Sequence, residues 1–389
     1  MWVTAHGFVP PPYPYDRLNE LRLIADSVQP GCIDCSVGTP FEPMPEVARN
    51  AAIAGLAKGQ TYPPSIGELD FRSAAADWMR RRLAVECDPN AVAAGIGAKE
   101  LVAGIPHWLK LRRPNKTVVL HPAVSYPSYA MGAELAGCRA VGVPADDEWH
   151  LDLDQISDQD ADDALMLWIN EPGNPSGSRA DAAWMARCVA WAQERDILLV
   201  SDECYIEFCF PPHGTPLSAD GAWPAGPSAM AAGIDGVLSV HSLSKRSNLA
   251  GMRAAFYAGD PAIVGYLSEV RKHAGMMTPY PTQRAATAAL ADDAHVNTQR
   301  ALYFERRSLL LDALNETPLH HCGGDATFYL WVRSDVGSDG WTVARRFAEL
   351  GVLVSPGEFY GDQGASMVRI ALVQPIGLLE IVAERLANW

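Results

Sequence analysis

A lysine that follows an apolar run in VHSLSKRSNLAGMRAAF, residues 240–256, is a candidate nucleophile. Lys245 comes just after the strand-like run GVLSV, and burial of a charged ammonium at a strand end lowers its pKa. The neutral amine could form a Schiff base with a carbonyl compound. Ser242, Ser244 and Arg253 would add hydroxyls and a guanidinium fork that suit a phosphate group. The alternative interpretation is a solvated lysine in a helix-capping loop.

Polar and aromatic residues also follow the other apolar runs of the sequence. Asp202 comes directly after ILLVS, and a buried carboxylate there could keep a pyridine nitrogen protonated. Tyr205 and Asn174 could both reach the 3-oxygen of such a ring, and Tyr126 in SYPSY could stack on its face. Taken singly, Asp202 could be a helix cap or turn residue and Tyr126 an ordinary turn tyrosine. Together with the lysine and the phosphate donors, however, the set indicates pyridoxal phosphate.

Short β-rich runs and helical patterns must position these side chains. The predicted strands are TVVL (117–120), ALMLWI (164–169), ILLV (197–200) and GVLSV (236–240), and the predicted helices cover 45–59, 67–83 and 181–196. Continuous apolar runs are typical of strands buried on both faces, so the pattern predicts an α/β fold with a mostly parallel sheet. Ligands of such sheets bind beyond the carboxyl ends of the strands, which is where the candidate residues lie.

The two ends of the chain differ from this alternating middle. VPPPYPYD predicts an extended N-terminal arm without internal hydrogen bonds, lying on another part of the molecule. Beyond about residue 275 come the strand candidates FYLWV and MVRIALV, and the chain ends in the helical pattern IGLLEIVAERLANW. We therefore expect an arm and part of a smaller domain over 1–40, a large cofactor-binding domain over 41–275, and a C-terminal smaller α+β domain over 276–389.

Composition narrows the class of protein. The 389 residues are 48% hydrophobic and can bury a large core. With 31 basic and 46 acidic residues the net charge is -15, which repels phosphate backbones and anionic membranes, so neither nucleic acid nor membrane is an expected partner. The sequence shows neither a secretory leader pattern nor an apolar run of about 18 residues. It predicts a soluble, cytoplasmic protein.

The eight cysteines are scattered too sparsely for a disulfide scaffold. Cys32 and Cys35 have the spacing of a redox or zinc half-site, but no second pair follows that would complete four ligands. Free cysteine is among the most buried residue types, so structural burial is the expectation for this pair, and no metal site is predicted.

Six motifs spread over essentially the whole chain resemble those of class I/II aminotransferases among the fold-type I pyridoxal-phosphate enzymes. In order they are GAKE, NEPGNPSG, SDECY, SLSKRSNLAGMR, SPGEFYG and MVRIAL. The resemblance implies a large domain with a mostly parallel, seven-stranded sheet between helices, plus a smaller α+β domain. It makes Lys245 the Schiff-base lysine and Asp202 the partner of the ring nitrogen, with Tyr205 and Asn174 on the 3-oxygen and Tyr126 on the ring face. The phosphate would be bound by the backbone N–H groups of Ala98 and Lys99 at a helix start and by Ser242, Ser244 and Arg253.

The same resemblance assigns contacts to the substrate and to a second subunit. Arg369 would bind the substrate α-carboxylate, for which a bidentate guanidinium is suited; the alternative is a structural ion pair. Asn174 and Gly38 would also lie against the substrate. Tyr62 would reach the cofactor phosphate of the neighbouring subunit, which implies a homodimer with shared active sites. Glu171 departs from the family's asparagine loop, which reads NPxNP or NSPxNP and often has a small or apolar residue there.

Beyond these motifs, the detailed amino-acid sequence of three segments resembles that of actinobacterial-type N-succinyldiaminopimelate aminotransferases of lysine biosynthesis. The segments are residues 240–256, residues 269–295 and SPGEFYG. These aminotransferases transfer an amino group from L-glutamate to N-succinyl-2-amino-6-oxopimelate. Arg271 and Lys272 are candidate contacts to an anionic substrate, or else plain surface charges. An aminotransferase for aromatic or glutamine-type amino acids and a carbon–sulfur β-lyase remain alternatives. A pyridoxal-binding transcriptional regulator would need a DNA-binding module, and AGIGAKE has Glu100 where a dinucleotide-binding loop needs its third glycine.

Overall fold

Three sheets make up the β structure of the computed structural model, which describes residues 7–29, 31–58, 61–218, 223–336 and 339–389. The strands are β1 (Ile33–Asp34), β2 (Val92–Ile96), β3 (Val118–Pro122), β4 (Arg139–Val143), β5 (Ala164–Asn170), β6 (Leu198–Asp202), β7 (Val237–Ser242), β8 (Ala254–Gly259), β9 (Leu319–His321), β10 (Tyr329–Ser334), β11 (Val352–Leu353), β12 (Ser355–Pro356) and β13 (Met367–Ala371). The helices are α1 (Asn19–Asp26), α2 (Glu46–Leu56), α3 (Leu69–Leu83), α4 (Ala98–Arg112), α5 (Ser128–Leu135), α6 (Asp158–Asp163), α7 (Ala182–Glu194), α8 (Leu243–Arg246), α9 (Pro261–His273), α10 (Tyr280–Ala291), α11 (Ala294–Asn315), α12 (Gly340–Glu349) and α13 (Ile376–Leu386).

The large sheet has seven strands in the order β2-β8-β7-β6-β5-β3-β4. Strands β7, β6, β5, β3 and β4 are parallel, whereas β8 runs antiparallel to both β2 and β7. The four predicted strands correspond to β3, β5, β6 and β7. The mostly parallel seven-stranded sheet and the α/β fold class are therefore confirmed.

Strand β5 shows why a continuous apolar run produces this arrangement. Its side chains alternate between two hydrophobic cores, with Leu167 and Ile169 on one face of the sheet and Met166 and Trp168 on the other. All four are fully buried because helices cover both faces. The carboxyl ends of β5, β6 and β7 lie at one edge of this sheet. Their positions are consequently fixed by tight packing on both faces.

The C-terminal third forms a smaller antiparallel sheet in the order β12-β13-β10-β9, and β1 pairs with β11 in a two-stranded parallel sheet. The two predicted strands FYLWV and MVRIALV are neighbours here, with Trp331 opposite Arg369. Helix α10 lies beyond the expected domain boundary at residue 275, yet its Ala285 and Leu290 share a core with Phe71 of α3. The domain boundaries stay a prediction. In the part of the chain that the structure describes, we find no helix with the length and apolar character that a membrane span requires.

The N-terminal arm is extended only in part. A 3-10 helix occupies Pro14–Leu18, and the Asp16 amide donates to the Tyr13 carbonyl at 3.0 Å. The expectation of an arm without internal hydrogen bonds is therefore wrong from Tyr13 onward, because Pro14 at the first helical position favours a helical turn. Residues 1–6 of the predicted arm lie outside the described residues. The arm does lie on the rest of the molecule, since Tyr15 hydrogen-bonds to Tyr360 at 2.7 Å.

The paired cysteines have no visible chemical role. Cys35 is buried, as expected, whereas Cys32 is only half-buried, and both are free thiols. Burial raises the pKa of the Cys32 thiol to about 11, so it stays protonated at neutral pH. Among the described residues no three His, Cys, Asp or Glu side chains are grouped so that they could hold a metal ion.

Candidate active site

A cavity of about 410 Å³ opens at the carboxyl ends of β5, β6 and β7. It brings together the residues predicted for the site except Tyr62 and the two candidate anion contacts Arg271 and Lys272. The predicted residues that line it are Gly38, Ala98, Lys99, Tyr126, Asn174, Asp202, Tyr205, Ser242, Ser244, Lys245, Arg253 and Arg369. Residues separated by more than three hundred positions in the sequence therefore face one enclosed volume.

Lys245 lies in the short helix α8, directly beyond β7. The hydroxyl of Ser242 caps this helix by accepting a hydrogen bond from the Ser244 amide at 3.1 Å, which fixes the direction of the lysine. The ammonium donates to the Gly38 carbonyl. Burial, reinforced by the charge of Arg369, lowers the pKa of Lys245 from 10.5 to about 8. A substantial fraction of the amine is thus neutral near physiological pH and can act as a nucleophile or base.

Asp202 ends β6 and is 8% exposed. Its carboxylate accepts hydrogen bonds from the Tyr129 hydroxyl at 2.7 Å and from the Cys204 amide at 3.1 Å. Asn170, its register partner on β5, donates to the Asp202 carbonyl at 3.0 Å. Burial raises the pKa of this carboxyl despite these donors. A cationic ring nitrogen in the cavity would compensate the buried charge.

Two hydroxyls lie close together beside the arginine. Tyr205 and Tyr329 are both buried, and their hydroxyl oxygens are 3.0 Å apart. A Cβ added to Gly38 would come 1.9 Å from the Tyr329 hydroxyl. As long as Tyr329 keeps its position, only glycine fits at residue 38. Gly38 therefore lines the cavity with its backbone, and its contact with the substrate stays a prediction.

The start of α4 forms a cradle for an anion. Its first residues, Ala98 and Lys99, line the cavity, and Gly97 before them has a positive φ of +82°. A Cβ on Gly97 would come 2.0 Å from Nη2 of Arg253. Only glycine here lets that guanidinium approach the free N–H groups of the helix start, where positive charge and donors converge. With the hydroxyls of Ser242 and Ser244 on the same cavity wall, this donor set fits a phosphate monoester.

Arg369 lies on β13 and is 2% exposed. It donates to Oδ1 of Asn174 at 2.8 Å, to the Ser36 carbonyl at 2.6 Å and to the Tyr15 hydroxyl at 3.1 Å. Its guanidinium carbon lies 4.0 Å from the ring centroid of Tyr329. No carboxylate pairs with it among the described residues, in contrast to the structural ion pair that was the alternative. A buried arginine without an anionic partner is available to a substrate carboxylate.

Tyr126 is largely buried, and its hydroxyl is 2.9 Å from that of Tyr13 and accepts from the Lys99 ammonium at 3.2 Å. Burial, the largest effect, raises its pKa. The arm tyrosine and Tyr126 therefore form part of the cavity wall together.

Several cavity residues were not singled out from the sequence. They are Tyr13, Tyr15, Tyr129, Asn170 and Tyr329. Tyr129 is the second tyrosine of SYPSY and Asn170 directly follows the predicted strand 164–169, so both carried a usable signal. The arm tyrosines could have been found from the aromatic spacing of PYPYD, because an arm that must lie on the molecule needs side chains to hold it.

Glu171 and Arg271 are placed differently from the sequence-based expectations. Glu171 points away from the cavity and is buried within its own loop. Arg271 is fully buried and pairs with Glu100, so it is neither a substrate contact nor a surface charge. Lys272 is exposed and lies 3.7 Å from Glu269. Tyr62 is 92% exposed and lies outside the cavity.

The amine, the buried carboxyl and the anion cradle together fit a cofactor that carries an aldehyde, a basic ring nitrogen and a phosphate. The class of protein is thus a pyridoxal-phosphate-dependent enzyme. More narrowly, the chain belongs to the family "Aminotransferase class I and II", whose model matches residues 31–386. It is a pyridoxal-phosphate-dependent aminotransferase, as the motifs predict.

Known relatives cover nearly the whole chain. It is 38% identical over 382 residues to the 4-dedimethylamino-4-oxo-anhydrotetracycline transaminase OxyQ of Streptomyces rimosus, covering 97% of this chain and 99% of the relative. It is 32% identical over 389 residues to the LL-diaminopimelate aminotransferase of Aquifex aeolicus, covering 97% and 96%. Among solved structures, a probable N-succinyldiaminopimelate aminotransferase from Thermus thermophilus superimposes with a TM-score of 0.85 at 28% identity, covering 96% of this chain and 99% of that one.

Proposed function

We propose that this aminotransferase moves the amino group of L-glutamate onto N-succinyl-2-amino-6-oxopimelate, acting as a succinyldiaminopimelate transaminase in lysine and diaminopimelate biosynthesis. One observation carries the chemistry: Lys245, Asp202 and Arg369 face a single enclosed cavity. The similarity to an LL-diaminopimelate aminotransferase and to a probable N-succinyldiaminopimelate aminotransferase supports the substrate class.

Different residues of the cavity would contact different parts of the cofactor. The start of α4, Arg253 and the two serines of β7 and α8 would bind its phosphate. Asp202, held in place by the Tyr129 hydroxyl, would pair with the ring nitrogen. Tyr205 and Asn174 would donate to the ring 3-oxygen, and Tyr126 would cover the ring face. When bound, pyridoxal phosphate supplies an electron sink that acidifies the α-carbon of an attached amino acid.

Lys245 then moves the proton. With the cofactor bound, its amine Nζ would take the proton from the substrate α-carbon, hold it as an ammonium and release it again later in the cycle. The depressed pKa of about 8 suits an amine that must be neutral to accept a proton and charged to return it. Because donor and acceptor use the same site in turn, the kinetics are ping-pong.

Arg369 binds the α-carboxylate of both substrates. Its Nη1 and Nη2 already make hydrogen bonds to Asn174 and Ser36, which hold the guanidinium plane, while its Nε has no hydrogen-bond partner. Hydrogen bonds between charged partners contribute about 1.5 to 3 kcal/mol each, so an arginine fork supplies much of the affinity for any amino acid.

A second candidate function is favoured by the tetracycline-type relative. The 38% identity to OxyQ exceeds that to the LL-diaminopimelate aminotransferase, and it supports a transaminase whose acceptor is an oxo group on a polycyclic aromatic compound. The tyrosines of the arm and of β10 provide apolar wall area for such rings. Aromatic or glutamine-type amino acids and cysteine conjugates are further substrates that the assay below separates.

The deciding experiment is a substrate panel on the holoenzyme. L-Glutamate should bleach the visible band of the bound cofactor, and N-succinyl-2-amino-6-oxopimelate should restore it with the highest kcat/KM among the oxo acids tested. Restoration only by a polycyclic ketone would favour the second candidate. If L-glutamate left the band unchanged and cystathionine yielded pyruvate, a carbon–sulfur β-lyase would replace the transaminase.

We further propose that the enzyme works in the cytoplasm as a homodimer in which Tyr62 reaches the cofactor phosphate of the other subunit. The high exposure of Tyr62 in a single chain supports this role, because a functional tyrosine is rarely left entirely in water. A hybrid dimer of one Tyr62→Ala chain and one Lys245→Ala chain contains one site with both native residues. Activity recovered by mixing two deficient variants is the expected result, and a monomeric active enzyme would contradict the proposal.

Replacing Gly97 with alanine should weaken binding of pyridoxal phosphate roughly tenfold, because the new methyl displaces the Arg253 guanidinium from the cradle. Spectral titration of the apoenzyme with the cofactor measures the change. Gly137→Ala is the matched control, since Gly137 also has positive φ but no atom within 4 Å of an added Cβ. Equal loss in both variants would mean that backbone strain alone, and not the cradle, explains the effect.

A further inference from the structure

The carboxyl group of Glu171 is enclosed by the loop that also carries Asn174, which we call the asparagine loop (residues 171–180). Oε2 of Glu171 accepts from the Ala180 amide at 3.1 Å, and Oε1 accepts from the Ser178 hydroxyl at 3.1 Å. Glu171 is 4% exposed, and its side chain does not line the cavity. It therefore fastens the two ends of the loop to each other from behind.

The asparagine loop sets the position of an atom that contacts the substrate arginine. The Asn174 amide donates to Oδ1 of Asn170 at 3.0 Å, and Oδ1 of Asn174 accepts from Arg369 at 2.8 Å. Towards its far end the loop is hydrogen-bonded to the segment before β10: the backbone amide of Ala326 donates to the Gly177 carbonyl at 3.0 Å. A shift of the loop would therefore move Asn174 and, through it, the guanidinium.

A histidine from a different part of the chain faces the same carboxyl. Nδ1 of His150 lies 3.4 Å from Oε1 of Glu171, and it has no hydrogen-bond partner of its own. Burial raises the pKa of Glu171 to about 8 and lowers that of His150. At neutral pH the two groups are thus a neutral carboxylic acid and a neutral imidazole that can share one proton.

The charged and titratable groups around this pair are mostly acidic. Asp146 acts on both members, while Glu148 and Asp181 act on His150 alone. The thiols of Cys188 and Cys209 lie close enough to Glu171 to be influenced by its charge. Asp146 disfavours ionisation of Glu171 further, so Glu171 stays a neutral carboxylic acid up to about pH 8.

We propose that Glu171 and His150 form a positioning pair that holds the asparagine loop and thereby sets the affinity of Arg369 for the substrate carboxylate. This inference rests on the proposed role of Arg369 in binding that carboxylate. The pair touches neither substrate nor cofactor, so it acts on binding and not on the proton transfer at Lys245. Both substrates carry an α-carboxylate, so both affinities should change together.

Glu171→Ala tests the pair against Glu171→Gln, which keeps the shape of the side chain and one oxygen that can accept from the Ala180 amide, while its NH2 group can donate to the Ser178 hydroxyl or to Nδ1 of His150 and cannot ionise. In the holoenzyme, Glu171→Ala should raise KM for donor and acceptor about tenfold with kcat changed less than about threefold, as expected when a buried hydrogen-bonding partner is lost. Glu171→Gln should restore KM and should lack the loss of affinity that the wild type shows above about pH 8. Glu384→Gln, at an exposed residue of α13 that neither lines the cavity nor acts on His150 or Glu171, is the control and should match the wild type.

The outcomes separate this inference from the proposed function. A wild-type holoenzyme that does not react with L-glutamate contradicts the proposed function. A wild type that reacts, with Glu171→Ala showing equal KM or a parallel fall in kcat, overturns the positioning pair alone.

A second readout uses the apoprotein and needs no activity. The raised pKa of Glu171 contributes stability that is complete below the ordinary carboxyl pKa of 4.5 and is lost as pH rises through about 8. The melting temperature of Glu171→Gln should therefore rise relative to wild type between about pH 5 and pH 9. A constant difference would show that Glu171 does not carry a proton in the folded state and would refute the shared-proton arrangement.

Discussion

Replacing Lys245 with alanine should lower the rate of amino transfer by about ten-thousandfold or more, because among the described residues no other amine lies where it could accept the α-proton. The other cations on the cavity wall are Lys99, which donates to the Tyr126 hydroxyl, and Arg253 and Arg369, whose guanidinium groups have donors and no acceptor. Single-turnover bleaching of the bound cofactor by L-glutamate measures the step directly. The cofactor itself should still bind, since the phosphate cradle and Asp202 remain.

Lys272→Ala is the matched control for this loss. Lys272 is an exposed lysine on α9, 3.7 Å from Glu269, and its removal should leave turnover within about twofold, as is usual for a surface charge. Addition of a small primary amine such as methylamine should partly restore activity to Lys245→Ala, because the cavity then has space for it. Undiminished turnover in Lys245→Ala would refute the assignment of the base.

Replacing Arg369 with lysine should lower kcat/KM for L-glutamate by about a hundredfold to a thousandfold. Lysine keeps the charge but lacks the planar fork, so it cannot hold the substrate carboxylate with two bonds while also holding Asn174 and Ser36. Losing one to two charge-assisted hydrogen bonds corresponds to that range. The change should fall mainly on KM, and steady-state kinetics with both substrates measures it.

The neighbouring strand β10 offers a conservative control. Arg333 faces Met367 of β13 in the ladder and is exposed, so Arg333→Lys makes the same substitution in the same sheet outside the cavity. It should leave kcat/KM unchanged. An Arg369→Lys enzyme with native KM would mean that another group binds the carboxylate.

The parallel half of the large sheet could be predicted because its strands are apolar on both faces. Strand β5 is a nearly continuous run of large hydrophobic residues, β6 begins with LLV and β7 with VLSV, and the carboxyl ends of these parallel strands share one edge. That rule alone predicts that Asp202 and Lys245 lie close together. The sequence order of the motifs then extended the prediction to the residues of β13.

Other elements gave weaker signals for physical reasons. Strand β2 reads VAAGI, and small residues have little β-propensity; it forms because β8 offers it an antiparallel partner. Strand β4 lies at the edge of the sheet and is largely exposed, so its pattern is not continuous. Both depend on partners that are not visible within a local window of sequence.

Contacts between side chains that are distant in the sequence were the least predictable feature of the structure. The buried pair of Arg271 and Glu100 joins α9 to α4, and nothing in their local sequence indicates that the arginine is buried. The same holds for Glu171, whose departure from the family pattern was visible while its direction, away from the cavity, was not. Such contacts depend on the packing of whole helices against one another, which spacing does not encode.

The position of β2 at the edge of the large sheet affects how the protein is made. Its ladder partner in that sheet is β8, so during synthesis residues 92–96 cannot form their strand pairing until residues 254–259 have emerged from the ribosome. At about 5–20 residues per second this delay is on the order of ten seconds. During that interval the nascent chain presents an unpaired strand next to the unfinished anion cradle, a period in which chaperone binding would protect it from aggregation.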